Sequence, residues 1–195
     1  MSVIPRAEII LGDDGIARCG WGAGDAEYRR YHDEEWGTPQ RDRQRLFEKV
    51  CLEGFQAGLS WITILRRRPA FREVFHDFDP ERVAAMTDTD IQRLLGDERI
   101  IRHRGKIEAT IQNARATLEL DTPLDELLWS FAPPARATNP ASFAEVPAVT
   151  PESTAMSKEL RRRGYRFVGP TTMYALMQAT GMVDDHLAGC FRASR

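Results

Sequence analysis

The sequence is short of the features that would take it out of the ordinary globular class. Its three cysteines, Cys19, Cys51 and Cys190, are odd in number and far apart, which argues against a disulfide framework and for free or metal-bound thiols in a reducing compartment. It has no uninterrupted apolar run of about 18 residues, the length a membrane span needs. Its most apolar window, Val50 to Leu65, is broken by Glu53, Gln56, Ser60 and Thr63. The basic and apolar blocks of a secretory leader are missing, so a cytoplasmic protein with no membrane partner is expected. Excess charge is missing too: 27 Lys+Arg against 29 Asp+Glu leave a net charge of -2. That excludes a polybasic tail, though not a nucleic-acid binder with one basic face. No repeat, low-complexity tract or confident run of alternating β-branched residues occurs, so strands are not expected.

What is present is helical punctuation. Asp42 can cap a helix with Leu46, Val50, Glu53 and Ala57 on one stripe. Asp79-Pro80 opens a second helix, and Thr87 or Asp88 a third that stops near Gly96. Ile107, Ile111, Ala114 and Leu118 predict an amphipathic helix, and Leu124, Leu127, Leu128 and Phe131 another. Two more are expected at Ser153 to Arg163 and Thr171 to Gly181, after a proline-rich connection from Ala132 to Pro151. The 195 residues suffice to bury roughly 70% of the unfolded surface, and the fold class is all-α.

Glu53 stands where a core residue belongs. Helical geometry points it inward with Leu46 and Val50, and a buried carboxylate costs several kcal/mol unless it is paired or faces a cavity. Either an internal ion pair with an arginine or a functional carboxylate meets that condition. Gly54 and Gly58 reduce bulk beside it, and Trp21, Tyr28, Tyr31, Trp36 and Trp61 crowd the same portion of the chain. Such a cluster is either plain core or a pocket for a flat cationic ring, drawn by aromatic faces and a carboxylate together.

Cys19 and His32 lie near one end of the chain, His186 and Cys190 near the other. The second pair shares one helical face, and the four together would make a closed, structural zinc site, if the ends meet. Unrelated thiols and imidazoles are the alternative. Cys51, among apolar neighbours, reads as a core thiol. Arg161 to Thr172 reads as helix, hairpin, helix, with Gly164 and Gly169 at the turn and Arg166 beside them. The amides at the start of the second helix would receive a phosphate, unless this is an ordinary αα turn. Further basic clusters lie at Arg66-Arg67-Arg68 and at Arg102-His103-Arg104 with Lys106.

These residues resemble the 3-methyladenine DNA glycosylase I family of the helix-hairpin-helix superfamily. The likeness is carried by Arg18-Cys-Gly-Trp21, Tyr31-His-Asp-Glu-Glu-Trp-Gly37, Cys51-Leu-Glu-Gly-Phe-Gln-Ala-Gly-Leu-Ser-Trp61, Ile100-Ile-Arg-His-Arg-Gly-Lys106 and Asp185-His186. It implies a single helix-hairpin-helix glycosylase domain over residues 18–195, with the hairpin near 160–172, behind an extension, 1–17, of unknown role. It implies one structural zinc ion on Cys19, His32, His186 and Cys190, joining the terminal segments. Substrate-binding positions fall on Trp21, Tyr28, Tyr31, Trp36 and Trp61, with Glu53 as the catalytic carboxylate. DNA-binding positions fall on Leu59, Gly164, Arg166, Gly169 and Thr171, with Leu59 filling the gap left by a flipped base. The activity implied is hydrolytic excision of 3-methyladenine from alkylated double-stranded DNA by a bacterial, cytoplasmic monomer, leaving an abasic site and free 3-methyladenine. With no lysine suited to Schiff-base chemistry in the hairpin, strand nicking is not expected. Asp184 is a second catalytic candidate. The rivals are a non-enzymatic damage binder, against which Glu53 argues, and a catalytic metal, against which four protein ligands argue.

Overall fold

In a computed structural model of the chain, which describes residues 8–193, α-helices carry almost all of the regular structure. They are α1 (Ala26–Glu34), α2 (Arg43–Gln56), α3 (Trp61–Val74), α4 (Pro80–Ala84), α5 (Asp88–Gly96), α6 (Arg104–Leu118), α7 (Leu124–Trp129), α8 (Pro151–Arg162) and α9 (Pro170–Ala179). The all-α expectation needs one correction. Residues Ile9–Leu11 (β1) and Ala17–Cys19 (β2) pair antiparallel, Ile9 opposite Cys19. Three-residue strands are too short to leave an alternating pattern, which is why the sequence does not announce them. The expected boundary at residue 17 thus falls inside a hairpin; residues 1–7 of the extension lie outside the described residues.

Capping chemistry sets several helix starts. Asp25, Asp42 and Asp79 each accept backbone N–H bonds from the first turn of the helix they precede, and Thr87 forms a reciprocal capping box with Asp90. At the centre lies α2, whose residues Leu46 through Phe55 are all buried. It is packed on several sides, by α9, α6, α3 and α7, as a helix buried all round must be. The expected stripe loses Ala57, which lies just past the helix end. Leu118 is exposed, while Ala109 and Ala116 are buried in α6; small residues there let the helices approach closely.

The connection between α8 and α9 is tied to the centre from α6. The Asn113 amide donates to the Arg166 carbonyl at 3.1 Å, and its Oδ1 accepts the Arg166 N–H at 2.7 Å. Thr117 and Tyr165 hydroxyls meet at 2.8 Å nearby. The proline-rich stretch is irregular apart from a single turn at Phe143–Glu145. Asn113→Ala removes both clasp bonds; because Arg166 is solvent-exposed, water replaces part of them and the expected loss is about 1–2 kcal/mol. A urea unfolding midpoint unchanged from wild type would show that the clasp contributes nothing to stability.

Candidate active site and metal centre

Glu53 is 4% exposed, and its Oε2 has no hydrogen-bond partner. The arginines that could have neutralised it are engaged elsewhere on or beside α2. Glu48 takes Arg45 and Arg72, and Glu35 takes Arg68 and Lys49. Glu53 instead opens into a cavity. Burial pushes its carboxyl up to about 8, against the opposing pull of Lys49. An internal ion pair with an arginine is therefore not what holds this carboxylate.

The cavity, about 290 Å³, is lined by Trp21, Tyr28, Tyr31, Trp36 and Trp61 together with Glu53. That volume lies at the lower end of small-molecule sites and suits one flat ring system better than a large ligand. Trp21 is the hub: its ring lies 5.6 Å from Tyr28 and 5.0 Å from Trp36, both edge-on. Tyr31 and Trp61 lie 5.5 Å apart. Tyr28 also positions α3, its hydroxyl accepting the Ile62 N–H at 3.0 Å. The remaining lining includes Gln56, Phe143, Val146, Ala175, Gln178 and Asp185, which the sequence reading does not put in the site. Gln56 stands one turn beyond Glu53, a signal that could have been used. Phe143 and Val146 come from the proline-rich connection and leave none. Asp185 accepts bonds from Arg136, Tyr174 and Gln178, so its charge is already matched. Asp184 lines a different cavity and accepts the His186 N–H at 3.1 Å.

The segments that carry the two Cys and His pairs meet. Ligating atoms of Cys19, His32, His186 and Cys190 all lie within 4.8 Å of one another, and all four residues are buried. Cys190 Sγ is 3.5 Å from His32 Nε2 and 3.8 Å from His186 Nδ1, and Cys19 Sγ is 3.9 Å from His186 Nδ1. Tetrahedral bonds to sulfur and nitrogen ligands of one ion imply separations of about 3.3–3.8 Å. The outer nitrogens are oriented as a metal site requires: His32 Nδ1 meets Asp33 at 2.8 Å and His186 Nε2 meets the Trp36 carbonyl at 3.2 Å. Asp33 is held in turn by Arg18, 3% exposed, which also binds Asp14 in the N-terminal hairpin. The donor set fits a metal ion, and four protein ligands leave it no open position. Close approach matters here. A Cβ on Gly22 would meet His32 Cγ at 2.6 Å, and one on Gly37, where φ is +76°, would meet His186 Nε2 at 2.9 Å.

Of the residues expected to face DNA, Leu59 is 40% exposed on the turn after α2, beside Gly58 at φ +82°. Gly164 and Arg166 do not offer free amides: they donate to Arg161 and Asn113. Gly169 and Thr171 stand at the start of α9, where the first N–H groups lack intrahelical partners. Phe167, left-handed at φ +56° and 39% exposed, adds an apolar tip the sequence reading did not single out.

The methyladenine glycosylase family matches residues 21–193. DNA-3-methyladenine glycosylase 1 of Escherichia coli strain K12 is 50% identical over 179 residues, covering 90% of this chain and 96% of the relative. A crystal structure of 3-methyladenine DNA glycosylase I superposes with a TM-score of 0.88 at 49% identity, over 91% of this chain and all of the other. A structure from Staphylococcus aureus, which addresses 3-methyladenine recognition by that glycosylase, superposes with a TM-score of 0.86 at 36% identity, over 91% of this chain and 97% of the other.

Two outcomes follow from this geometry. Gly22→Ala is expected to displace His32 and weaken metal retention at least tenfold in competition with a chromophoric chelator; unchanged retention would show that the ring can yield without cost. Because folding raises the Glu53 carboxyl from 4.5 to about 8, its contribution to stability is full below the lower value and lost as pH rises through the upper one. Glu53→Gln should therefore stabilise the free protein by roughly 2–4 kcal/mol near pH 9 and much less near pH 5. A pH-independent difference in denaturation midpoint would contradict this.

Proposed function

The chain belongs to the methyladenine glycosylase family, and from that membership and the site we infer that it is a hydrolase of N-glycosyl bonds that excises 3-methyladenine from alkylated duplex DNA. The observation that carries the reading is the unpaired Glu53 carboxylate facing an aromatic cavity of ring size. Adenine methylated at N3 is a cation while attached to the sugar. Five aromatic residues and one carboxylate would select that charge over neutral bases. Extrusion of the nucleotide costs a few kcal/mol, less for a damaged base, with Leu59 filling the space left in the stack.

The chemistry needs little acid help. As the glycosidic bond breaks, its electron pair returns to the positively charged ring, and 3-methyladenine leaves neutral. A water oxygen bonds to C1′ and loses its proton, leaving an abasic site. Glu53 holds the base edge and stabilises the cationic ring more than it acts as a strong base. Asp184, turned to another cavity and bonded to the His186 amide, has no part in this. No lysine lies in the connection between the hairpin helices, in keeping with a monofunctional enzyme without strand nicking.

The α8–α9 pair is read as the superfamily's helix-hairpin-helix, gripping a phosphate with the amides of Gly169 and Thr171, while Gly164 shapes the turn and the Arg166 side chain supplies charge. The Cys2His2 cluster is assigned one structural zinc ion that fastens the terminal segments. The enzyme is read as a cytoplasmic monomer. Base release from methylated duplex DNA, with products separated chromatographically, should yield 3-methyladenine. Glu53→Gln should slow release by about a hundredfold or more and weaken binding of free 3-methyladenine. No release from folded, metal-loaded protein that still binds damaged DNA tightly would replace the enzyme with a damage binder; unchanged affinity in Glu53→Gln would remove the assigned role of the carboxylate.

A further inference from the structure

Behind the aromatic wall lies a small second cavity, of about 120 Å³, whose walls carry Glu35, Lys49, Arg68 and Trp61. Trp61 also lines the base cavity, so the two chambers share a wall. Lys49 is 7% exposed. Its ammonium donates to Glu35 Oε1 at 2.7 Å and lies 5.6 Å from the centre of the Tyr31 ring, another wall of the base cavity. Arg68 donates to both oxygens of the same Glu35. Two cations thus share one carboxylate, and the cluster keeps a net positive charge. Lys49 precedes Glu53 by one helical turn, so both side chains lie on the same face of α2.

We propose that Lys49 is a positioning residue for the base site: held from beneath by Glu35, its ammonium acts across the Tyr31 wall to favour the ionised form of Glu53. This deepens the glycosylase reading and rests on it for its consequence, but not for its test. The other charged groups around Glu53 do not supply this charge. From α1, Tyr28 and Tyr31 are phenols, and Tyr31 is driven well above its usual range by burial first and then by Glu53 itself. From α3, Arg68 is spent on Glu35. Across the cavity Asp185 is bound to Arg136 and Tyr174. Behind α2, Lys106 is spent on the carbonyls of Phe55 and Ala57. Glu35, although burial alone would raise it, is held at about 2 by Lys49 and Arg68, so the clamp on Lys49 stays charged at any pH the enzyme meets.

The test reads Glu53 directly. The carboxyl carbons of glutamate are labelled with ¹³C and titrated by NMR in the empty protein, with Glu53→Gln identifying the signal. Lys49→Met should raise the Glu53 midpoint by about one unit or more, and Lys49→Arg should leave it near the wild-type value. Lys49→Gln, which keeps a polar side chain beside Glu35, should raise it likewise, and it carries the test alone if Lys49→Met does not fold. The pH profile of base release should move with the midpoint, costing Lys49→Met about tenfold in rate per unit on the acid side. A Glu53 midpoint unmoved by Lys49→Met, or moved as far by Lys49→Arg, overturns the inference. Shifted midpoints in a protein that releases no base would uphold the inference and overturn the glycosylase reading.

Discussion

Glu48, Lys49 and Glu53 bring charge into the buried stretch of α2, Leu46 through Phe55, and the rest of the molecule is arranged around that fact. An unpaired buried charge costs several kcal/mol. Glu48 is neutralised by Arg45 and Arg72, and Lys49 by Glu35. Glu53 alone is left with an oxygen that has no partner, and the neighbouring elements do not close over it but stand back to form a cavity. The carboxylate and the cavity are one feature: filling the space with an apolar side chain would bury the charge, and pairing the charge would fill the space.

The wall facing Glu53 poses a different problem. It comes largely from residues 21–36, a segment in which α1 buries only Tyr31 and His32, too little apolar area to hold it by packing alone. Fastening is supplied from outside. Arg18 joins the N-terminal hairpin to Asp33, and Asp33 orients His32. His32 and His186 approach edge to face at 4.9 Å, and Trp36 packs against His186 at 4.6 Å. The Cys and His cluster therefore forms the back of the aromatic wall, with Trp21 packed on His32 at 5.2 Å and Trp36 on His186.

This division explains what could be read from the sequence. Glu53 was legible because a single carboxylate on an apolar stripe violates the pattern around it. The four Cys and His residues could be matched by type and spacing, although only the fold shows that the two pairs meet. Aspartate caps marked several helix starts. The all-round burial of Leu46 through Phe55 in α2 was not legible, since a helix flanked on several sides shows no polar face to define a moment. Nor were Phe143 and Val146, because an irregular connection carries no period and its side chains are aimed by tertiary contacts alone. Lys49 carries no signal of its own in the sequence, since its burial depends on Glu35 at the end of α1 and Arg68 in α3 arriving beside it.

The same electrostatics bears on selectivity. In the empty cavity Glu53, with a value of about 8, is mostly protonated near neutral pH, so the resting site carries little negative charge. On the reading proposed above, a neutral base entering it would gain stacking and a hydrogen bond at its edge but would not favour the ionised carboxylate. A cationic base would favour the ionised form as well, the proton leaving Glu53 as the ring enters. Binding energy would therefore depend on the charge of the base as well as its shape, and the share of the attraction spent on removing the proton shrinks as the free carboxyl falls toward the working pH. Too low a value would leave a permanent anion attracting any cation; too high a value would spend the attraction on deprotonation. A lysine one turn away, held by its own carboxylate, is a means of setting that balance without entering the cavity.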